Sequence, residues 1–75
     1  MRVTYDGQAN AAYIYLRPIN AGEIRETHVC ALETEGPARD VNLDFDSQGR
    51  LIGLEVLYAS HRLPKAVIDA AEKLE

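Results

Sequence analysis

The chain has 75 residues, a net charge of −4 from 12 acidic and 8 basic side chains, and an apolar fraction of 47%. That length allows one domain, residues 1–75, which buries only roughly 60% of its unfolded surface, so self-association is an expected source of further burial. The basic residues form no cluster that would displace counterions from nucleic acid, an acidic surface suits a basic protein partner better, and a single cysteine, Cys30, excludes a disulfide framework.

The N-terminus, MRVTYDGQ, lacks the apolar core of a signal peptide, and no apolar run approaches the ~20 residues that cross a bilayer. A soluble cytoplasmic protein without membrane contact is the expectation. Residues 2 to 6 (RVTYD) form a short β-rich run with Val3 and Tyr5 on one face. Asp6-Gly7-Gln8-Ala9-Asn10 is turn chemistry. Ala11 to Arg17 then alternates, with Ala12, Ile14 and Leu16 opposed to Tyr13, Tyr15 and Arg17. Pro18 cannot donate a ladder bond and closes the strand. Residues 2 to 17 therefore read as a β-hairpin.

Asn20-Ala21-Gly22 is a further turn. Ile24 to Leu32 mixes Thr, Val and Cys with charge, the pattern of an edge strand on which Arg25 and Glu26 deter unwanted pairing. Residues 34 to 40 are expected to be a loop around Gly36-Pro37.

Val41 to Tyr58, VNLDFDSQGRLIGLEVLY, admits two incompatible readings. Asp44, Asp46, Gln48, Gly49 and Glu55 fall at the first, third, fifth, sixth and twelfth places of a calcium-binding EF-hand loop. Such a loop needs a helix on each side, whereas Val41 to Asp46 alternates with a period of two. Leu51 to Leu57 carries an internal glycine that a helix resists. The segment is a β-hairpin. A loop of even length sets Phe45 opposite Ile52, Leu43 opposite Leu54 and Val41 opposite Val56, all on one buried face. A three-residue loop would set Leu43 against Gly53 and Val41 against Glu55, mixing the faces.

The even register leaves Asn42, Asp44, Asp46, Leu51, Gly53, Glu55 and Leu57 on the second face. Gly53 there marks close approach by a backbone or an aromatic ring, which Tyr13 or Tyr15 would supply. Leu51 and Leu57 are either the apolar part of a contact surface or scattered surface residues. After the hairpin the period changes. Leu63, Val67, Ala70, Ala71 and Leu74 recur at helical spacing behind Pro64, a residue suited to the first turn. One helix from Pro64 to about Leu74 should lie across the first face.

The chemistry-bearing residues form no complete site. His28 and Cys30 share a strand face, but a structural zinc site takes four ligands, and a Cys–His nucleophile takes an orienting group and an oxyanion hole. Asp44, Asp46 and Glu55 are read as a solvated face with Asp46 serving the turn. Arg50, His61, Arg62 and Lys65 are too few for nucleic-acid binding. No cofactor, catalytic or metal-ligating set is assigned.

Tyr5-Asp6, Ala12 to Leu16, Val41 to Asp46, Gly49 to Leu57, Ala59-Ser60 and Leu63-Pro64 together resemble the small bacterial family known as domain of unknown function 2283 (DUF2283). The resemblance spans nearly the whole chain, and the G-R-L-x-G-x-E block of Gly49 to Glu55 is its most specific part. It implies a β-sheet protein with a C-terminal helix and no established enzymatic activity. It also implies an antitoxin association, since some members are thought to be encoded beside toxin-like proteins.

The expected fold is α+β: an antiparallel sheet of four to five strands, from two sequential hairpins and an edge strand, with one C-terminal helix on one face. The expected function is a non-enzymatic protein–protein interaction module, homodimeric through the sheet face of Leu51, Gly53, Glu55 and Leu57. An antitoxin-like regulator of a small basic toxin is the alternative, and a small metal-binding protein or hydrolase comes last.

Overall fold

Alternating apolar and polar residues become a six-stranded sheet in the computed structural model, which describes residues 1–31 and 40–74. The elements in chain order are β1 (Arg2–Asp6), β2 (Ala11–Tyr15), β3 (Glu26–Ala31), β4 (Asp40–Phe45), β5 (Leu51–Leu57), α1 (Ala59–Arg62), α2 (Lys65–Ala70) and β6 (Glu72–Leu74). The sheet order is β3-β4-β5-β2-β1-β6, with every pairing antiparallel except the parallel β1–β6. The α+β class and the largely antiparallel sheet agree with the sequence reading. The first hairpin, β1–β2, and the edge position of β3 agree as well. The loop expected over residues 34 to 40 lies, apart from Asp40, outside the described residues.

Three features differ. The sheet has six strands rather than four or five. The single helix expected from Pro64 to Leu74 is the shorter α2, preceded by the separate turn α1, and its last turn is instead β6. Helical periodicity cannot register the competing demand of β1, whose outer edge needs a hydrogen-bonding partner. Thr4, Tyr5 and Asp6 find it in Glu72, Lys73 and Leu74. Arg2 Nη2 adds a 2.7 Å ion pair to Glu72, which holds the Glu72 carboxyl below its usual range. The Lys73 ammonium caps the end of α2, donating to the carbonyls of Ile68 at 2.6 Å, Asp69 at 3.1 Å and Ala71 at 2.7 Å.

The third difference is the β4–β5 turn. Asp46 N–H donates to Arg50 O and Gly49 N–H to Asp46 O, which closes a three-residue loop of Ser47, Gln48 and Gly49. Gly49 takes the left-handed conformation, φ 76°, that this turn requires. Phe45 therefore pairs with Leu51, not with Ile52. One extra residue in β5, a bulge at Ile52, then restores the expected register of Asp44 with Gly53, Leu43 with Leu54 and Val41 with Val56. The odd loop does not mix the faces, because the bulge cancels it.

The helical turns cover one side of the sheet. Ala12, Val56 and Ala59 form the buried cluster, with Tyr5, Ile14, Val41, Leu63 and Ile68 packed around it. This is the first face of the sequence reading, and it takes the helical segment as expected. Asn10 fixes that segment in place. It adopts φ 51°, its carbonyl accepts Ala59 N–H at 3.0 Å, and its Oδ1 accepts Ser60 N–H at 3.0 Å. The N-cap residue itself, Tyr58, makes no side-chain cap, so the β1–β2 turn caps α1 from across the molecule.

Candidate functional site

The registers set the second face out in rows across the strands. One row runs Thr4, Tyr13, Glu55, Asn42, Val29, and the next runs Arg2, Tyr15, Gly53, Asp44, Thr27. No described helix lies over these rows; α1 packs on β2 and β5 from the Ala12–Val56 side.

Tyr13 leaves its own row and reaches diagonally to Asp44, donating its hydroxyl to Oδ2 at 2.5 Å. The ring thereby lies on Gly53. A Cβ built there would stand 2.6 Å from Cζ and 2.8 Å from Cε2 of Tyr13, inside van der Waals contact. The aromatic neighbour expected for Gly53 is thus Tyr13 rather than Tyr15. Tyr15 instead meets Tyr13 edge-on at 4.7 Å and carries the Arg2 guanidinium 4.9 Å above its ring. Asp44 is 7% exposed, and its other oxygen accepts from Thr27 Oγ1 at 2.6 Å.

Burial, then the hydrogen bond to Asp44, pushes the Tyr13 phenol well above its ordinary pKa of 10.0. The folded state keeps this proton through a pH range in which the unfolded chain has lost it. Its contribution is complete below pH 10.0 and is lost as pH rises above that value. The urea midpoint is expected to fall steadily above pH 10. In Tyr13→Phe it starts lower, since Asp44 loses a donor, but declines less over the same range. Parallel alkaline limbs in the two proteins would refute this.

The three carboxylates of the former calcium pattern each have separate work. Asp46 Oδ1 accepts the backbone N–H groups of Gln48 at 2.9 Å and Arg50 at 3.0 Å. The Arg50 bond is the main reason its carboxyl sits below the usual range. Glu55 accepts from Asn42 Nδ2 at 2.8 Å. Strands stand where an EF-hand needs helices, and among the described residues no three His, Cys, Asp or Glu converge as a metal site. His28 and Cys30 are exposed on β3, where His28 Nε2 meets Glu26 at 2.8 Å and its ring meets Phe45 edge-on at 5.3 Å. His61 stacks on Tyr58 at 4.1 Å, and Lys65 pairs with Asp69. Arg50 and α1 stand at opposite ends of the seven-residue β5, about 23 Å of strand apart, so no basic patch unites them.

Of the four surface residues expected from sequence, Gly53, Glu55 and Leu57 follow one another on the second face. Leu51, 36% exposed, stands apart, opposite Phe45 at the bulge. Gly53 is covered by Tyr13 and is not itself a contact surface. The face presents Tyr13, Tyr15, Glu55, Leu57 and Val29, the last 61% exposed. Beside the tyrosines, Ile19, Ala21 and Ile24 complete an apolar depression of about 340 Å³. Near the middle, Asn42 Oδ1 is buried without a hydrogen-bond partner among the described residues. Sequence reasoning found the glycine and its ring but missed the Tyr13–Asp44–Thr27 network, because residues 13, 27 and 44 meet only through three strand registers.

The family described as "Protein of unknown function (DUF2283)" matches residues 2–60, from β1 to the start of α1. Comparison with curated proteins and with solved structures returned no match.

Proposed function

We propose that this chain, which belongs to the DUF2283 family, is a non-catalytic interaction module that self-associates through the open face of its sheet. The observation that carries the reading is the one-sided cover: helical turns close the Ala12–Val56 face, while no described helix lies over the tyrosine face. The thinness of the molecule supports it. Its accessible surface is 5134 Å², against roughly 4,600 Å² for a compact monomer of this mass. Extents of 32 × 27 Å across its broad side give a face on the scale of the ~800 Å² per partner that a stable interface buries. The ordered tyrosine pair and the apolar depression supply rigid aromatic anchors at small entropic cost.

A second reading, the antitoxin-like binding of a basic partner, is favoured by the net charge of −4 and by Glu55 on the same face, a carboxylate acceptor suited to a guanidinium or ammonium.

Light scattering at high micromolar concentration is expected to give the dimer mass or a larger multiple. Leu57→Asp should weaken association at least tenfold, about 1.4 kcal/mol, with an unchanged melting temperature. A monomer across that range overturns self-association. A monomer that retains a basic protein at low salt and releases it at high salt supports the second reading instead.

A further inference from the structure

The two ends of the sheet are finished differently. At one end β6 closes the edge of β1, and Arg2 ties it down through Glu72. At the other, β3 pairs among the described residues only with β4, and all six of its residues are exposed. An open strand edge is a template for another strand, and proteins blunt it with proline, lysine or a bulge. Glu26–Ala31 contains neither residue, its pairing with β4 runs without a break, and Glu26, the charge that deters unrelated strands, has a complement in the His28 of a second copy. Its charge pattern is also self-complementary. Glu26 and His28 stand on the helix-covered side of the sheet, opposite Phe45 and Leu43, and are 2.8 Å apart, with Thr27 between them on the other side.

We propose that β3 is a strand-addition edge for a second copy of this chain, pairing antiparallel with its counterpart about a two-fold axis through Thr27. Residues facing each other across an antiparallel pair lie on the same side of the sheet, so a two-fold must pass through a residue. Centred on Thr27, each Glu26 meets the other strand's His28, Arg25 meets Val29, and no like charges face. Centred on His28, imidazole meets imidazole. Centred on Val29, His28 meets Cys30 and Glu26 loses its complement. Only the Thr27 register makes the Glu26–His28 pair twice, an acceptor facing a ring N–H on each side of the axis. The contact extends two sheets into one of twelve strands and uses none of the open-face tyrosines, so it holds independently of the reading above.

Sedimentation velocity of the full chain tests it, in the unmodified protein and again with Leu57→Asp, where association through the open face is removed. Glu26→Lys sets lysine against His28 and is expected to weaken association about tenfold. Glu26→Lys with His28→Glu restores opposite groups in the same register and should recover association to within about threefold. The Glu26→Lys protein and the double exchange should melt like the unmodified chain, since Glu26 and His28 are exposed. Indifference to Glu26→Lys, failure of the double exchange to restore association, or a Leu57→Asp chain that stays monomeric at high micromolar concentration would each overturn the proposal.

Discussion

Gly53→Ala is expected to destabilise the protein by about 3 kcal/mol, the largest effect of any single methyl group added to this chain. An alanine in a strand is ordinarily no worse than glycine and often better. Here the new Cβ would enter the Tyr13 ring, at 2.6 Å from Cζ and 2.8 Å from Cε2. The ring can escape only by swinging off the strand. That breaks its bond to Asp44, separates it from Tyr15, and leaves a nearly buried carboxylate with Thr27 as its only remaining side-chain donor among the described residues. For a domain of this size, each kcal/mol shifts Tm by about 4–8 °C, so a fall of about 15 °C is the expected reading. The mechanism has an internal control. Tyr13→Ala alone also costs stability, but it vacates the space over Gly53, and in that background Gly53→Ala should cost almost nothing. The resulting coupling is about 3 kcal/mol. A Gly53→Ala protein within 0.5 kcal/mol of the parent, or two additive substitutions, would mean that the ring does not depend on the glycine.

The same substitution shows what the sequence could reveal. A glycine in an apolar, alternating strand announces close approach, and the tyrosines of β2 were the available rings. Choosing between Tyr13 and Tyr15 required the β2–β5 register, which sets Tyr15 across from Gly53 and yet sends Tyr13 over it on the diagonal. Periodicity found strands and faces well because alternation is a local property. It missed β6 because residues 72 to 74 continue a helical pattern, and only the open edge of a strand some seventy positions earlier draws them out of it. It missed the bulge for a related reason. Loop parity alone does not set the strand register, because an extra residue at Ile52 lets Asp46–Gly49 choose the turn and Leu43–Leu54 choose the faces. The acidic spacing of Asp44, Asp46 and Glu55 does not bring the three carboxylates together, because a strand hairpin gives each a different neighbour.

Asn10 should be the second most sensitive position, and a graded series separates its two roles. Its side chain accepts the Tyr5 hydroxyl at 2.9 Å and the Ser60 N–H at 3.0 Å on Oδ1, and donates from Nδ2 to Ser60 Oγ at 3.0 Å. Its backbone sits at φ 51°, which asparagine tolerates and alanine resists. Asn10→Asp keeps the acceptor and the tolerance, loses only the Nδ2 bond, and should cost under about 1 kcal/mol. Asn10→Gly frees the backbone but removes the cap of α1 and the partner of Tyr5, for about 2 kcal/mol. Asn10→Ala loses the same bonds and adds left-handed strain, for about 3 kcal/mol. Urea denaturation would measure the order Asp, Gly, Ala. Equal values for Gly and Ala would show that the turn relaxes out of the left-handed region, and an Asp variant as damaged as Ala would show that Oδ1 does not hold α1. Hydrogen exchange at Ser60 supplies the local readout. Its amide should lose protection in the Gly and Ala variants while the β4–β5 amides keep theirs, because the contact that fails joins the β1–β2 turn to α1 and leaves the sheet intact.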